Sequence, residues 1–174
     1  YGTVLLPVWS QLHGDAALLG LLLATFSAAS IGGAAIATFL AERLPRLTVY
    51  IIAFLLTGAP RFIVFAVDAP LGAIVIVLAS AGFASGFLNP ILGAVMFERI
   101  PAALTGRVSA LINALCWTLM PFGGLVAGLL IPHLGLGATF AVAGCAYLLV
   151  TMMPIALPAF RAFAQRPTAA VPSN

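Results

Sequence analysis

Long apolar runs separated by brief polar punctuation set the plan of this chain. Complete runs cover Ala17 to Ala41, Leu47 to Val67, Leu71 to Phe97, Arg107 to about Pro132 and Ala138 to about Leu157. Residues 1–11 read as half of another. A helix rises 1.5 Å per residue and the hydrocarbon core of a bilayer is about 30 Å thick, so about 20 apolar residues cross it. The pattern therefore predicts an all-α, polytopic transmembrane helical bundle of one partial and five complete spans. Two membrane-length runs written back to back between Phe83 and Gly135 have no use in a soluble domain.

The punctuation fixes the expected topology. Arg43, Arg46, Arg99, Arg107, Arg161 and Arg166 fall on one side of the zigzag, and the opposite turns hold only His13, Asp15, Asp68 and His133. By the positive-inside rule the arginine side is cytoplasmic, and the C-terminus lies there too. Composition sharpens this picture. Only 6% of the 174 residues are charged, against about 25% in soluble domains, and mean hydropathy is +1.21. No room is left for a catalytic extramembrane domain. The net charge of +3 comes from arginines scattered through loops, which form topology anchors and not a nucleic-acid surface.

Several chemistries are missing. No glycine-rich loop with a lysine offers an ATP site, and an enzyme within the membrane would need a cluster of acids or histidines at one depth. No catalytic residue and no metal site is expected. His13 and His133 occupy separate turns and read as solvent-facing, while Cys116 and Cys145 fall deep in apolar runs and read as small buried hydrophobes. All four carboxylates sit in loops or at span ends, so these spans carry no mid-membrane proton acceptor.

The polar residues inside the runs are the candidates for chemistry. Gly82, Ser85, Gly86, Asn89 and Gly93 recur at spacings of three and four, which places them on one helical face. An amide is costly in hydrocarbon, so Asn89 should face protein or a wet cavity, beside a helix loosened by Pro90. The next span carries Asn113 and Trp117 four apart, then Pro121, Gly124 and Gly128. By depth, Asn89 and Asn113 could meet across the two helices. This stripe reads either as a helix-packing seam or as the wall of a path. Ala24, Ala28 and Gly32 form a second small-residue stripe suited to close helix packing. Arg61, deep in its span, is placed to snorkel toward Asp68 two turns on. Trp9 stands at interfacial level.

Glu98-Arg99-Ile100-Pro101, Gly106-Arg107-Val108 and Pro121-Phe122-Gly123-Gly124, with Gly128 and Gly135, resemble the tenth helix, loop and eleventh helix of a transporter of the major facilitator superfamily, in its multidrug and siderophore exporter branch. Ala41-Glu42-Arg43-Leu44-Pro45-Arg46 is similar to the family's repeated acidic-basic loop, with proline where glycine is usual. The resemblance implies that residues 1–157 are the C-terminal six-helix half, with its first helix truncated, and that residues 158–174 are a cytoplasmic, disordered tail. It further implies a plasma (inner) membrane secondary transporter that exports small amphipathic molecules by alternating access. Its partners would be the bilayer, the substrate and the missing N-terminal half. Ser85, Asn89, Asn113 and Trp117 would face the substrate path, and Glu42, Arg43, Arg46, Arg99 and Arg107 would form the cytoplasmic latch. No cofactor is expected; if a proton gradient drives transport, the coupling acid belongs to the other half. A self-assembling six-span channel, a structural membrane protein and an importer of the same superfamily are the alternatives.

Overall fold

A computed structural model describes residue 2 and residues 4–14, 16–40 and 45–156. Six helices follow in order: α1 (Leu5–His13), α2 (Ala16–Leu40), α3 (Arg46–Ala66), α4 (Leu71–Arg99), α5 (Ala102–Leu134) and α6 (Leu136–Ala156). No strand occurs among the described residues. The last five helices are long and apolar enough to cross a membrane, and α1 is the short element expected before them. The protein is thus an all-α, polytopic membrane bundle. The tail at 158–174 lies outside the described residues.

The turns are tighter than the polar punctuation suggests. The loop expected from Glu98 to Gly106 shrinks to Ile100 and Pro101, because α4 runs on through Arg99 and α5 starts at Ala102. Proline has no backbone N–H to lose and favours helix starts, and the alanines and Leu104 after it are good helix formers. The turn expected over His133–Gly137 reduces to Gly135, whose φ of 79° is open to glycine without strain. At 33 residues α5 spans roughly 50 Å at 1.5 Å per residue, more than the hydrocarbon needs. Pro60, Pro90 and Pro121 lie within continuous helices, so Pro90 does not break α4.

The core lies toward the arginine-poor end. Leu5, Leu6 and Trp9 of α1 meet Leu22, Phe62, Phe65, Ile74, Leu78, Ala127 and Phe140 there. Trp9 is an edge-on neighbour of Phe65 at 5.0 Å, and Phe65 stacks on Phe140 at 5.2 Å. Trp9 is only 4% exposed. It stands at the predicted depth, but is packed under the α3–α4 turn and does not project to an interface.

Small residues let α2 and α4 approach closely, though not the small residues expected on α2. Ala24, Ala28 and Gly32 are exposed, and a side chain on Gly32 would meet nothing. The contacting seam is one residue further round, where a Cβ on Gly33 would overlap the backbone carbonyl of Phe83. On α4, Gly82 faces the carbonyl of Phe26, and Gly86 faces the backbone of Ala34 and Ser30. One residue turns a helix by about 100°, enough to exchange the packed face for the free one. Helix α3 joins α4 on another side through a hydrogen bond from the Thr57 hydroxyl to the Ala81 carbonyl, at 3.3 Å. Gly58 leaves space for the ring of Tyr147 from α6, whose hydroxyl donates to the Phe54 carbonyl at 2.9 Å.

Candidate functional site

The four proposed path residues separate into two groups. Ser85 is half-buried on the α2–α4 seam, its hydroxyl 3.1 Å from that of Ser30 and 2.7 Å from the Gly82 carbonyl. One turn further, Asn89 emerges from that seam and is exposed. Asn113 and Trp117 lie on α5, where every residue from Ala110 to Gly123 is exposed and Trp117 is 71% so. Their four-residue spacing gives them one face. Asn89 and Asn113 do not bond to each other among the described hydrogen bonds, because α5 stands away from α4 over this stretch. The structure therefore presents amides and an indole on a surface of the bundle rather than in an enclosed pocket. Beside Trp117 the surface is hollowed by about 520 Å³, lined by Cys116, Leu119 and Met120.

Cys116 and Cys145 are free and exposed, contrary to the expectation that both are buried. Hydropathy reports depth along a span and not which way a side chain turns.

Two of the residues expected to form a latch are described at the arginine-rich end. Arg99 closes α4 and Arg107 stands in the second turn of α5, both exposed. A cation in a helix's last turn is favoured by the negative end of the helix dipole, by about 0.3–1 kcal/mol when exposed. Glu42 and Arg43 lie outside the described residues. Arg46 begins α3, and its side chain is outside them as well.

The opposite end contains a polar cluster that the sequence reading missed. Asp68 closes the α3–α4 turn in a left-handed conformation, φ 51°. Its carboxylate accepts the Trp9 indole N–H at 3.1 Å and lies 3.1 Å from Nε2 of His13. His13 stacks on the Trp9 ring with centroids 4.4 Å apart, and its Nδ1 is 3.0 Å from the Trp9 carbonyl. His13 is thus held on both ring nitrogens, not simply solvated. Nor is Arg61 the partner that engages Asp68 in this cluster; its guanidinium lies 5.5 Å from the ring of Phe62. The signal available in sequence was weak, a histidine and an aspartate 55 residues apart in separate turns.

A further feature is a cavity of about 410 Å³ between α1, α3, α5 and α6, lined by Leu5, Phe62, Gly123, Ala127 and Ala143 among others, with Thr139 contributing its only hydroxyl. None of the path residues chosen from sequence lines it. Its walls are apolar, and nothing in their periodicity distinguishes a lined hollow from a filled contact.

A family model described as Major Facilitator Superfamily matches residues 1–173. Among curated relatives, a multidrug efflux pump Tap of Mycobacterium tuberculosis (strain ATCC 25618 / H37Rv) is 31% identical over 159 residues, covering 91% of this chain and 38% of the relative. The protein of the same name from Mycolicibacterium fortuitum is 31% identical over 132 residues, 76% of this chain and 31% of that one. The chain thus spans well under half the length of the curated relatives it matches. No solved structure gives a significant match. With five membrane-length helices and relatives of this kind, the chain is an integral, multi-pass protein of the plasma membrane.

Proposed function

The chain belongs to the major facilitator superfamily, and we propose that it forms the C-terminal transmembrane half of a secondary transporter that exports small amphipathic molecules. The observation that carries this reading is the uncovered half of α5. Fourteen consecutive residues, 110 to 123, are exposed, and among their apolar side chains stand an amide and a large aromatic. A helix apolar all round is otherwise buried or lipid-facing, and an amide has no favourable place against lipid. A second six-helix half covering α5 and the Asn89 end of α4 supplies both a wall and an aqueous path. That other half is the chief partner, with the bilayer and the substrate. Exposed Trp117 offers a broad face to flat apolar or cationic compounds.

Substrate binds near mid-membrane between halves that rock about it, with Asn89, Asn113 and Trp117 on this half's surface. Ser85, tied into the α2–α4 seam, has the weakest claim to the path. Arg99 and Arg107, with Glu42, Arg43 and Arg46, latch the arginine-rich end, which the positive-inside rule makes cytoplasmic. The protein is a transporter and not an enzyme. No cofactor is required, and a proton-coupling carboxylate belongs to the other half. The efflux-pump relatives favour export over import, and they favour a transporter over a channel or structural protein.

The test is an efflux assay on the full-length transporter in a drug-sensitive host, loaded with a fluorescent cationic dye. Trp117→Ala and Asn113→Ala should each lower the efflux rate about tenfold, equivalent to losing about 1.4 kcal/mol, at unchanged membrane abundance. Efflux at the parental rate in both variants would remove this face from the path.

A further inference from the structure

The contacts of His13 determine what it must carry. Its Nδ1 lies 3.0 Å from the Trp9 carbonyl, an acceptor with nothing to donate. Its Nε2 lies 3.1 Å from the Asp68 carboxylate, also an acceptor when ionised. A neutral imidazole has one N–H and one lone pair, so it can satisfy one of these partners and must oppose the other; only the imidazolium donates to both. The same carboxylate takes the Trp9 indole N–H at 3.1 Å. Trp9 is itself nearly buried, at 4% exposure, and forms part of the core. From this geometry we infer that Trp9, His13 and Asp68 form a proton-binding clasp, in which one proton ties the end of α1 to the α3–α4 turn and its departure frees the two.

Beyond the Trp9 N–H bond to Asp68 and the packing of Trp9 on Phe65, the His13 contact is what joins the last turn of α1 to the α3–α4 turn. Helix α1 ends at His13, and Asp68 sits in the turn that reverses the chain between two complete spans. Held together, they cap the aromatic layer of Trp9, Phe65 and Phe140. When the proton leaves, a lone pair must face either the Trp9 carbonyl or the carboxylate, whichever N–H is kept, and the cheapest response is for the exposed His13 ring to turn out of the clasp. The stack of His13 on Trp9 at 4.4 Å adds a cation-on-indole contact that is likewise lost with the charge.

The remaining groups around His13 do not change the sign. From α1 itself it meets the Trp9 carbonyl, and from the α3–α4 turn Asp68; the start of α6 offers neutral Thr139 and Phe140 to this end. His133, closing α5, is the other described ionisable side chain at this end, and Asp15 lies outside the described residues. Bonding to the Trp9 carbonyl, opposed by slight desolvation and reinforced by Asp68, holds the His13 pKa above its ordinary value of 6.5. A raised value means the tie is fully made below pH 6.5 and is lost as pH climbs through the raised value. If this end faces outward, an acidic exterior closes the clasp and a neutral one loosens it.

The experiment uses the full-length protein in lipid nanodiscs, with Cys116 and Cys145 replaced by serine and spin labels at Gln11→Cys and Gly72→Cys, both exposed positions. The label-to-label distance should be single and narrow below pH 6.5, and a longer population should grow with a midpoint above it. Asp68→Asn keeps a residue that tolerates the left-handed turn but offers an amide N–H that satisfies neutral His13. In this variant the short distance should persist at high pH. His13→Ala should give the longer population at every pH. Histidine-selective nitrogen NMR provides a second reading, since the resonance missing from His13→Ala should report a doubly protonated ring at pH 6.5. A distance independent of pH, a pH response that survives His13→Ala, or a His13 ring neutral at pH 6.5 would each overturn the clasp.

Discussion

Helices α4 and α5 use the same vocabulary and come to opposite ends. Both are long, apolar on all sides and supplied with glycine, proline and one asparagine. On α4, Gly82 and Gly86 are buried because the backbone of α2 lies directly against them; on α5, a Cβ at Gly106, Gly123 or Gly128 would meet nothing, and one at Gly124 would meet only a methyl of Val4 at 3.4 Å. A glycine inside a membrane helix is a place where another backbone could come close. Whether one does is decided by the partner. In α4 the partner is within this chain, and in α5 the unanswered glycines, with the exposed amide and indole, are what support a second half as the missing surface.

The most damaging way to probe this contrast is to fill the occupied seam. At Gly86 a Cβ would fall on the backbone of Ala34, and backbone has nowhere to retreat. Overpacking costs about 1–3 kcal/mol where side chains can yield and more where they cannot. Gly86→Val should therefore lose at least about 3 kcal/mol and most of the folded protein, as seen in the midpoint of thermal aggregation in detergent. Gly128→Ala, with open space around it, should leave that midpoint unchanged within about 0.5 kcal/mol. Equal loss in both variants would erase the distinction between the two helices.

A smaller effect separates lipid from protein as the cover of α5. In the full-length transporter, Gly123→Leu and Gly128→Leu keep a bilayer-facing helix content but obstruct a close-packed or moving neighbour. If another half covers α5, efflux should fall about tenfold or more at normal membrane abundance and normal thermal midpoint. If lipid covers it, both rates stay at the parental level. A fall in abundance along with rate would show instead that these glycines matter to folding within this half.

What could be read beforehand follows the same division. The span boundaries were legible to within a few residues, because the bilayer demands about 20 apolar residues regardless of neighbours. Rotation about each helix axis was not, since lipid and protein interior are equally apolar and leave no contrast between faces. That is why the spacing of Ala24, Ala28 and Gly32 points to a seam on α2 that Gly33 and Phe26 form instead, and why the apolar runs around Cys116 and Cys145 do not reveal that both are exposed. The depth of Asn89 and Asn113 was legible, but their separation was not, because depth along two helices says nothing of the gap between them. The clasp was hidden for another reason. It joins His13 and Asp68 across 55 residues through a left-handed turn, and only folding brings those turns together.

The mildest substitution addresses the residue on the border of the two regions. Ser85 belongs to the stripe read from sequence as path or seam, and its contacts with Ser30 and Gly82 place it in the seam. A hydrogen bond between membrane helices averages about 0.6 kcal/mol, and alanine fits the volume of serine. Ser85→Ala should accordingly lower the thermal midpoint slightly and leave the relative efflux of different compounds unchanged, as should Ser30→Ala, and the double variant should cost no more than either alone. That equality identifies the pair as the unit. A substrate-contacting Ser85 would behave otherwise, altering the ranking of compounds while Ser30→Ala did not, and the boundary between packed seam and transport face would then move one turn along α4, from Asn89 to Ser85.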